Sequence, residues 1–319
     1  MKGVHRITVR SRYMNYDFEL RRNITIIQGN SATGKTTLVD MLREHMLNGE
    51  DSGITVSSDC PIRIIEGNTW MEQLSFVQNS VIFIDEGNRF VSSNDFANAV
   101  NGSSNYFVII TRESLDALPY SVEEIYGIKS SGKYGGLEPV YHEFYRIYGK
   151  QDTEVQAEQL IVEDTNSGYE FFSDIASDKN ISCISAGGKG NVFNLMNSAV
   201  SDKSLLVIAD GAAFGSQMNR VMFLVNKKQH VQLYLPESFE WLILKSGIIK
   251  DAQLAKILDD PSAYIDSAKW FNWERFFTDL LVEHSADSYL QYTKKKINPN
   301  YLQPNIKNKI LSTMDNIKI

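Results

Sequence analysis

The chain has 319 residues, 43% of them hydrophobic and 22% charged, an ordinary globular composition with apolar material for two cores and hence two domains. No run approaches the roughly 20 consecutive apolar residues that cross a bilayer, so a helical span and a membrane partner are excluded. A net charge of −7 argues against wholesale coating of nucleic acid while leaving local contacts open. The first ten residues, MKGVHRITVR, alternate as a strand does and lack the apolar block and small-residue cleavage site of a signal peptide. Cys60 and Cys183 are the only cysteines and fall in different halves, so there is no disulfide framework and no Cys/His zinc spacing. These features predict a soluble, cytoplasmic protein.

In chain order, residues 3–12 (GVHRITVRSR) and 16–20 (YDFEL) read as two short strands joined by a turn. Residues 23–28 (NITIIQ) form a compact β-branched run of the kind buried in parallel sheets. A helix follows over 35–46, with Leu38, Met41, Leu42 and His45–Met46 along one face. Further buried strands are expected at 81–85 (VIFID) and 106–111 (YFVIIT), and an edge strand at 139–148 (PVYHEFYRIY). Strands alternating with helices specify an α/β fold around a parallel sheet. The polar stretch 149–157 (GKQDTEVQA) is the expected boundary, giving domains at 1–150 and 158–319. Beyond it, strands are expected at 159–162, 181–185 and 204–210, with a helix over 167–175 between the first two. From Pro236 the pattern turns helical, ending in an aromatic helix whose positions 270, 273, 276 and 277 share one face.

The run Gly29-Asn30-Ser31-Ala32-Thr33-Gly34-Lys35-Thr36 fits G-x-x-x-x-G-K-[ST], with Thr37 behind it, between a buried strand and a helix. The glycines permit backbone angles that let consecutive N–H groups converge on phosphate oxygens, and the following helix offers its own N–H groups and dipole. Lys35 is placed to reach the β- and γ-phosphates of ATP, and the Thr36 hydroxyl to take one Mg²⁺ position. Asp85 ends the apolar run VIFI and is followed by Glu86, which suits a metal-holding acid and a base that polarises the attacking water. Thr111 and Arg112 close the next strand and could sense the γ-phosphate or be a solvated strand end.

On these motifs residues 1–150 resemble an ABC- or SMC-type P-loop ATPase in reduced form: paired N-terminal strands, the nucleotide loop, then the IFIDE strand. The chain departs from that family in having no LSGGQ-like segment before Val81. The segment EQLSFVQNS lacks its glycines.

In the second half Glu163 closes one strand, ISAGGKGN opens a second strand into glycines, and Asp210 closes a third within VIADGAAFG. Acids delivered at the carboxyl ends of neighbouring strands can assemble a site for a hard cation, or be ordinary strand-end acids. The glycine segment is a turn or an anion-binding nest that Lys189 would complete. Residues 160–235 are similar to the Toprim domain of topoisomerases, primases and OLD-family nucleases. That resemblance implies Glu163 as acid or base and metal ligand, and Asp210 as the first metal-binding aspartate. The second aspartate of the family stands at Ala212 here, and Glu237 or Glu240 could compensate. The carboxyl-terminal residues 294–319 carry six lysines against Asp315, read as a solvated terminal helix or as a contact for phosphate backbone.

The two resemblances in this order are those of OLD-family nucleases and related anti-phage proteins. They imply an ATPase that governs a Toprim-like nuclease or nucleic-acid-binding domain acting on DNA or RNA, working as a homo-oligomer or with a partner protein. A nucleotide-dependent switch with a non-catalytic second half, and a P-loop kinase, are the alternative readings.

Overall fold

The computed structural model describes residues 1–29, 33–131, 140–149, 155–199, 203–228 and 230–319. The chain forms two compact units, Met1–Gly149 with Asp260–Asn272, and Lys150–Asp259 with Trp273–Ile319. Each is mixed α/β. Among the described residues no helix is long and apolar enough to cross a membrane.

In the first unit the strands are β1 (His5–Arg10), β2 (Met14–Leu20), β3 (Ile24–Ile27), β4 (Thr55–Ser58), β5 (Ile62–Ile64), β6 (Val81–Ile84), β7 (Tyr106–Ile110), β8 (Ile125–Ser130) and β9 (Val140–Arg146). Among the described residues these make one sheet, ordered β4-β1-β2-β9-β8-β3-β7-β6-β5. The five strands from β8 to β5 run parallel, while β1 pairs antiparallel with β2 and β4. The side chains of β3, β6 and β7 are buried at every position. That explains why those segments read as continuous apolar runs rather than alternating ones. Helix α1 (Lys35–Asn48) lays Leu38, Val39, Met41 and Leu42 into a core with Val81, Phe83, Val108 and Ile110. Short helices α2 (Trp70–Ser75) and α3 (Asn94–Val100) complete the unit, α3 capped by the Ser93 hydroxyl accepting from Phe96 N.

Two expectations for this unit are corrected. The segment around 139–148 is not an edge strand: β9 lies inside the sheet, parallel to β2 and antiparallel to β8. Its outward residues Tyr141 and Tyr145 are exposed on one face, and this one-sided exposure produced the edge-like alternation. Trp270 does not belong to the carboxyl-terminal aromatic helix, which begins at Trp273. Its neighbour Phe271 instead accepts a hydrogen bond from Asn23 Nδ2 at 2.8 Å through its carbonyl, and the Met1 amino group bonds Asp266 and Ser267, which tie this returning segment into the first unit.

The second unit carries β10 (Val155–Gln156), β11 (Gln159–Val162), β12 (Ser182–Ser185), β13 (Leu205–Ile208), β14 (Val231–Tyr234) and β15 (Ile317–Lys318). Four of them form a parallel sheet ordered β12-β11-β13-β14, and β10 pairs with β15. The helices are α4 (Ser167–Asp178), α5 (Lys189–Ser198), α6 (Met218–Lys227), α7 (Phe239–Lys245), α8 (Ala252–Asp259), α9 (Trp273–Ser285) and α10 (Pro304–Leu311). Helix α4 buries Phe171, Phe172 and Ile175, and its two phenylalanine rings meet Phe239 of α7 at 5.1 and 5.9 Å. Helices α7 and α9 pack together through faces that bury Leu242, Ile243, Phe276 and Phe277. The lysine-rich end is not one solvated helix. Lys307 is buried between Asp174 (2.6 Å) and Asp178 of α4, and Lys294 lies among acids described below.

Candidate functional site

Two groups of residues expected to carry chemistry are assembled, one in each unit. In the first, β3 leads into Gly29, whose φ of 127° belongs to the left-handed half of backbone space. Asn30, Ser31 and Ala32 lie outside the described residues. Gly34 caps α1 with φ 93°, and a Cβ there would stand 2.7 Å from the His142 ring and 2.8 Å from the Tyr16 hydroxyl. Only glycine satisfies both constraints. Tyr16 donates to the Gly34 carbonyl at 2.8 Å and stacks on His142 at 4.3 Å. Sequence reasoning missed this supporting pair, since the residues come from β2 and β9.

Lys35 is the first residue of α1 and only 5% exposed. Its ammonium donates to Gly29 O at 2.9 Å and Thr33 Oγ1 at 3.2 Å. Burial pulls its pKa down, Glu86 opposes that shift and Arg112 adds to it. The first intrahelical bond runs from Leu38 N to Gly34 O, so the N–H groups of Lys35, Thr36 and Thr37 precede it and point out of the helix start. A buried ammonium beside such N–H groups is an arrangement that suits an anion.

Because β3, β7 and β6 are parallel and adjacent, their carboxyl ends share one edge of the sheet. That edge carries Gly29, Thr111–Arg112 and Asp85–Glu86. Asp85 Oδ1 accepts from Glu86 N at 2.7 Å, and burial raises its pKa. Glu86 is exposed and accepts from Arg112 Nε at 2.8 Å. Thr111 is buried and its hydroxyl accepts from Glu113 N at 3.0 Å, closing a local turn. Thr36 is exposed and Thr37 half-buried in the first turn of α1.

In the second unit, β11 and β13 are parallel neighbours, so Glu163 and Asp210 leave the sheet at the same edge. Glu163 N donates to Ile208 O at 2.8 Å, and Asp210 Oδ1 accepts from Phe239 N at 3.1 Å. Burial, then Glu274 and Asp164, push the Glu163 carboxyl up to about 7. Burial, then Glu274, Glu163 and Glu240, raise Asp210 well above its ordinary value. The ammonium of Lys294 opposes both shifts, pairing with Glu274 at 2.5 Å and Glu240 at 3.9 Å. Burial pulls Lys294 down, and Glu240, Glu274 and Asp210 outweigh it, so its net shift is upward. Glu240 is 1% exposed and accepts from the Tyr292 hydroxyl at 2.8 Å, which also contacts Ser167 Oγ at 2.5 Å.

The group is therefore four carboxylates around one lysine. Glu240, one of the two acids offered as compensation for Ala212, raises the Asp210 carboxyl by its charge. Ala212 itself is 2% exposed, its N–H donating to Glu237 O at 3.2 Å. Lys189 opens α5, donates to Ala213 O at 3.4 Å and lowers Glu163 by its charge. Gly187 (φ 71°) and Gly188 (φ 117°) turn the chain there, and Gly188 N donates to Glu163 O at 3.0 Å. Glu274 and Lys294 carried no sequence signal, one lying in a core helix and the other in a lysine run. No three of the carboxylates bring ligand oxygens within 4.8 Å of one another. Cys60 and Cys183 are both free thiols. The sequence matches no protein-family model and no curated protein.

Proposed function

We propose that the chain is an ATP-binding and ATP-hydrolysing protein of the OLD-like type, in which a P-loop ATPase unit governs a Toprim-like unit that acts on DNA or RNA, in phage defence. The observation that carries the first half is the buried Lys35 ammonium at the start of α1, bonded to the loop's own Gly29 and Thr33 oxygens. A cation held at that depth by neutral oxygens has the position and charge to exchange them for phosphate oxygens. Thr36 and Asp85 are the residues that would hold Mg²⁺, which supplies neutralisation of charge on the phosphate oxygens when bound. Glu86, one residue beyond Asp85 at the same sheet edge, would orient and deprotonate the attacking water, with Arg112 holding its carboxylate. Replacing Glu86 by Gln should lower ATP turnover by about 10²–10⁴-fold with nucleotide affinity kept. Unchanged turnover removes Glu86 from that role.

A second reading, a nucleotide-dependent switch whose Toprim-like half performs no chemistry, is favoured by two observations. Ala212 supplies no carboxylate, and the Lys294 ammonium already occupies the space beside the acids, paired with Glu240 and Glu274. Incubation with Mg²⁺ or Mn²⁺, ATP and plasmid, single-stranded DNA or tRNA separates the two. Cleavage that Glu163→Ala abolishes supports a nuclease, and persistent absence of cleavage supports the switch.

A further inference from the structure

The first unit holds a group of donor atoms far from the glycine loop in sequence and of different chemistry from the acids of the second unit. Strands β1 and β4 pair antiparallel with Ile7 opposite Ser58. Continuing that register by two residues puts His5 opposite Cys60, next to Asp59. His5 Nδ1 lies 3.0 Å from both Asp59 oxygens, and Cys60 Sγ lies 3.5 Å from Ser58 Oγ. One ligand atom each from His5, Asp59 and Cys60 fall within 4.8 Å of one another, and among the described residues no other His/Cys/Asp/Glu trio does so.

We propose that His5, Asp59 and Cys60 form a zinc site, with the fourth position open to water or an incoming ligand. An imidazole, a carboxylate and a thiolate are the donor types zinc takes, and the thiolate and imidazole select it over Mg²⁺. Tetrahedral zinc with bonds near 2.0–2.3 Å needs donor–donor edges of about 3.3–3.7 Å, so an edge at the 4.8 Å limit would close by about 1–1.5 Å. The charges balance: a neutral imidazole, one carboxylate and one thiolate cancel the dication. Asp59, whose side chain is 58% exposed, leaves the metal reachable from solvent, while His5 is held by edge contact with the Tyr106 ring at 5.1 Å. Without metal, burial and the Asp59 carboxylate hold the Cys60 thiol protonated, with the Ser58 hydroxyl opposing them. Zinc binding replaces the Sγ–H bond by Sγ–Zn and releases one proton, with no change of oxidation state.

The test uses the full chain, free of nucleotide, with zinc or cobalt as probe. Metal analysis after incubation and gel filtration should give one zinc per chain for the unmodified protein and for Cys183→Ser. Cys60→Ser should lower zinc affinity more than about 10-fold, because losing even an outer partner of a ligand costs that much. Co²⁺ should give a tetrahedral visible spectrum with a thiolate charge-transfer band that Cys60→Ser loses. Absence of zinc from the unmodified protein, or full affinity in Cys60→Ser, overturns the proposal. Should Cys60→Ser fail to fold, alkylation of the unmodified protein decides instead. Zinc should shield Cys60 and not Cys183 from iodoacetamide, and equal rates at Cys60 with and without zinc overturn the site.

Discussion

Replacing Lys294 by Met keeps the length of the side chain and removes the one ammonium that both Glu240 and Glu274 engage. At an effective dielectric of about 20, charges 3.9 Å apart attract by about 4 kcal/mol before desolvation is counted. The Lys294 side chain keeps 36% of its surface in water, so the net loss is closer to about 2 kcal/mol. The effect depends on pH with a definite sign. Glu163 rises from its ordinary 4.5 to about 7 in the fold, so the folded state holds a proton that the unfolded chain releases. Stability is therefore lost as pH climbs through that window, and Asp210, shifted the same way, adds to it. Without the Lys294 ammonium the loss steepens, because Asp210, Glu240 and Glu274 lose the cation that opposes their charge and Glu163 keeps only Lys189. At pH 8 the variant should melt roughly 4–8 °C below the unmodified protein, and at pH 5 by about half as much, since Glu163 and Asp210 are then protonated. Thermal denaturation of both proteins at the two pH values reads this directly. A deficit equal at both, or larger at pH 5, refutes the four-acid arrangement.

Gly34→Ala must adopt φ 93° and push aside the Tyr16–His142 pair, so it should cost more than about 2 kcal/mol and lower the melting temperature. Gly29→Ala, with φ 127° but open space around its Cβ, should cost less, and equal losses would show that the contact is unimportant. Tyr292→Phe removes the hydroxyl that donates to the buried Glu240, an expected loss of about 1–3 kcal/mol, measured by urea denaturation.

The parts of the fold legible in the sequence are those in which burial is complete. ITII, VIFI and YFVII are buried at every position, so composition alone marks them as central strands. The glycine loop is legible for a related reason: backbone geometry at Gly34 excludes other residues, which ties the motif to conformation. Mixed patterns were less informative. β9 alternates buried and exposed residues, and alternation does not say whether a strand has one neighbour or two. Within the acid group, Glu163 and Asp210 were visible because strand ends focus function at one edge. Glu274 and Lys294 were not, because helix packing and a return of the chain bring them there from distant positions. His5 and Cys60 were missed for the same reason: strand pairing, rather than spacing along the chain, brings them together.

Titration calorimetry of the full chain with ATP and Mg²⁺, beside the Lys35→Ala variant, tests the central claim most directly. The unmodified protein should release heat and saturate at one nucleotide per chain, and the variant should bind at least ten times more weakly, because the buried ammonium beside the first turn of α1 is gone. No heat with the unmodified protein, or equal affinity in Lys35→Ala, would contradict the account.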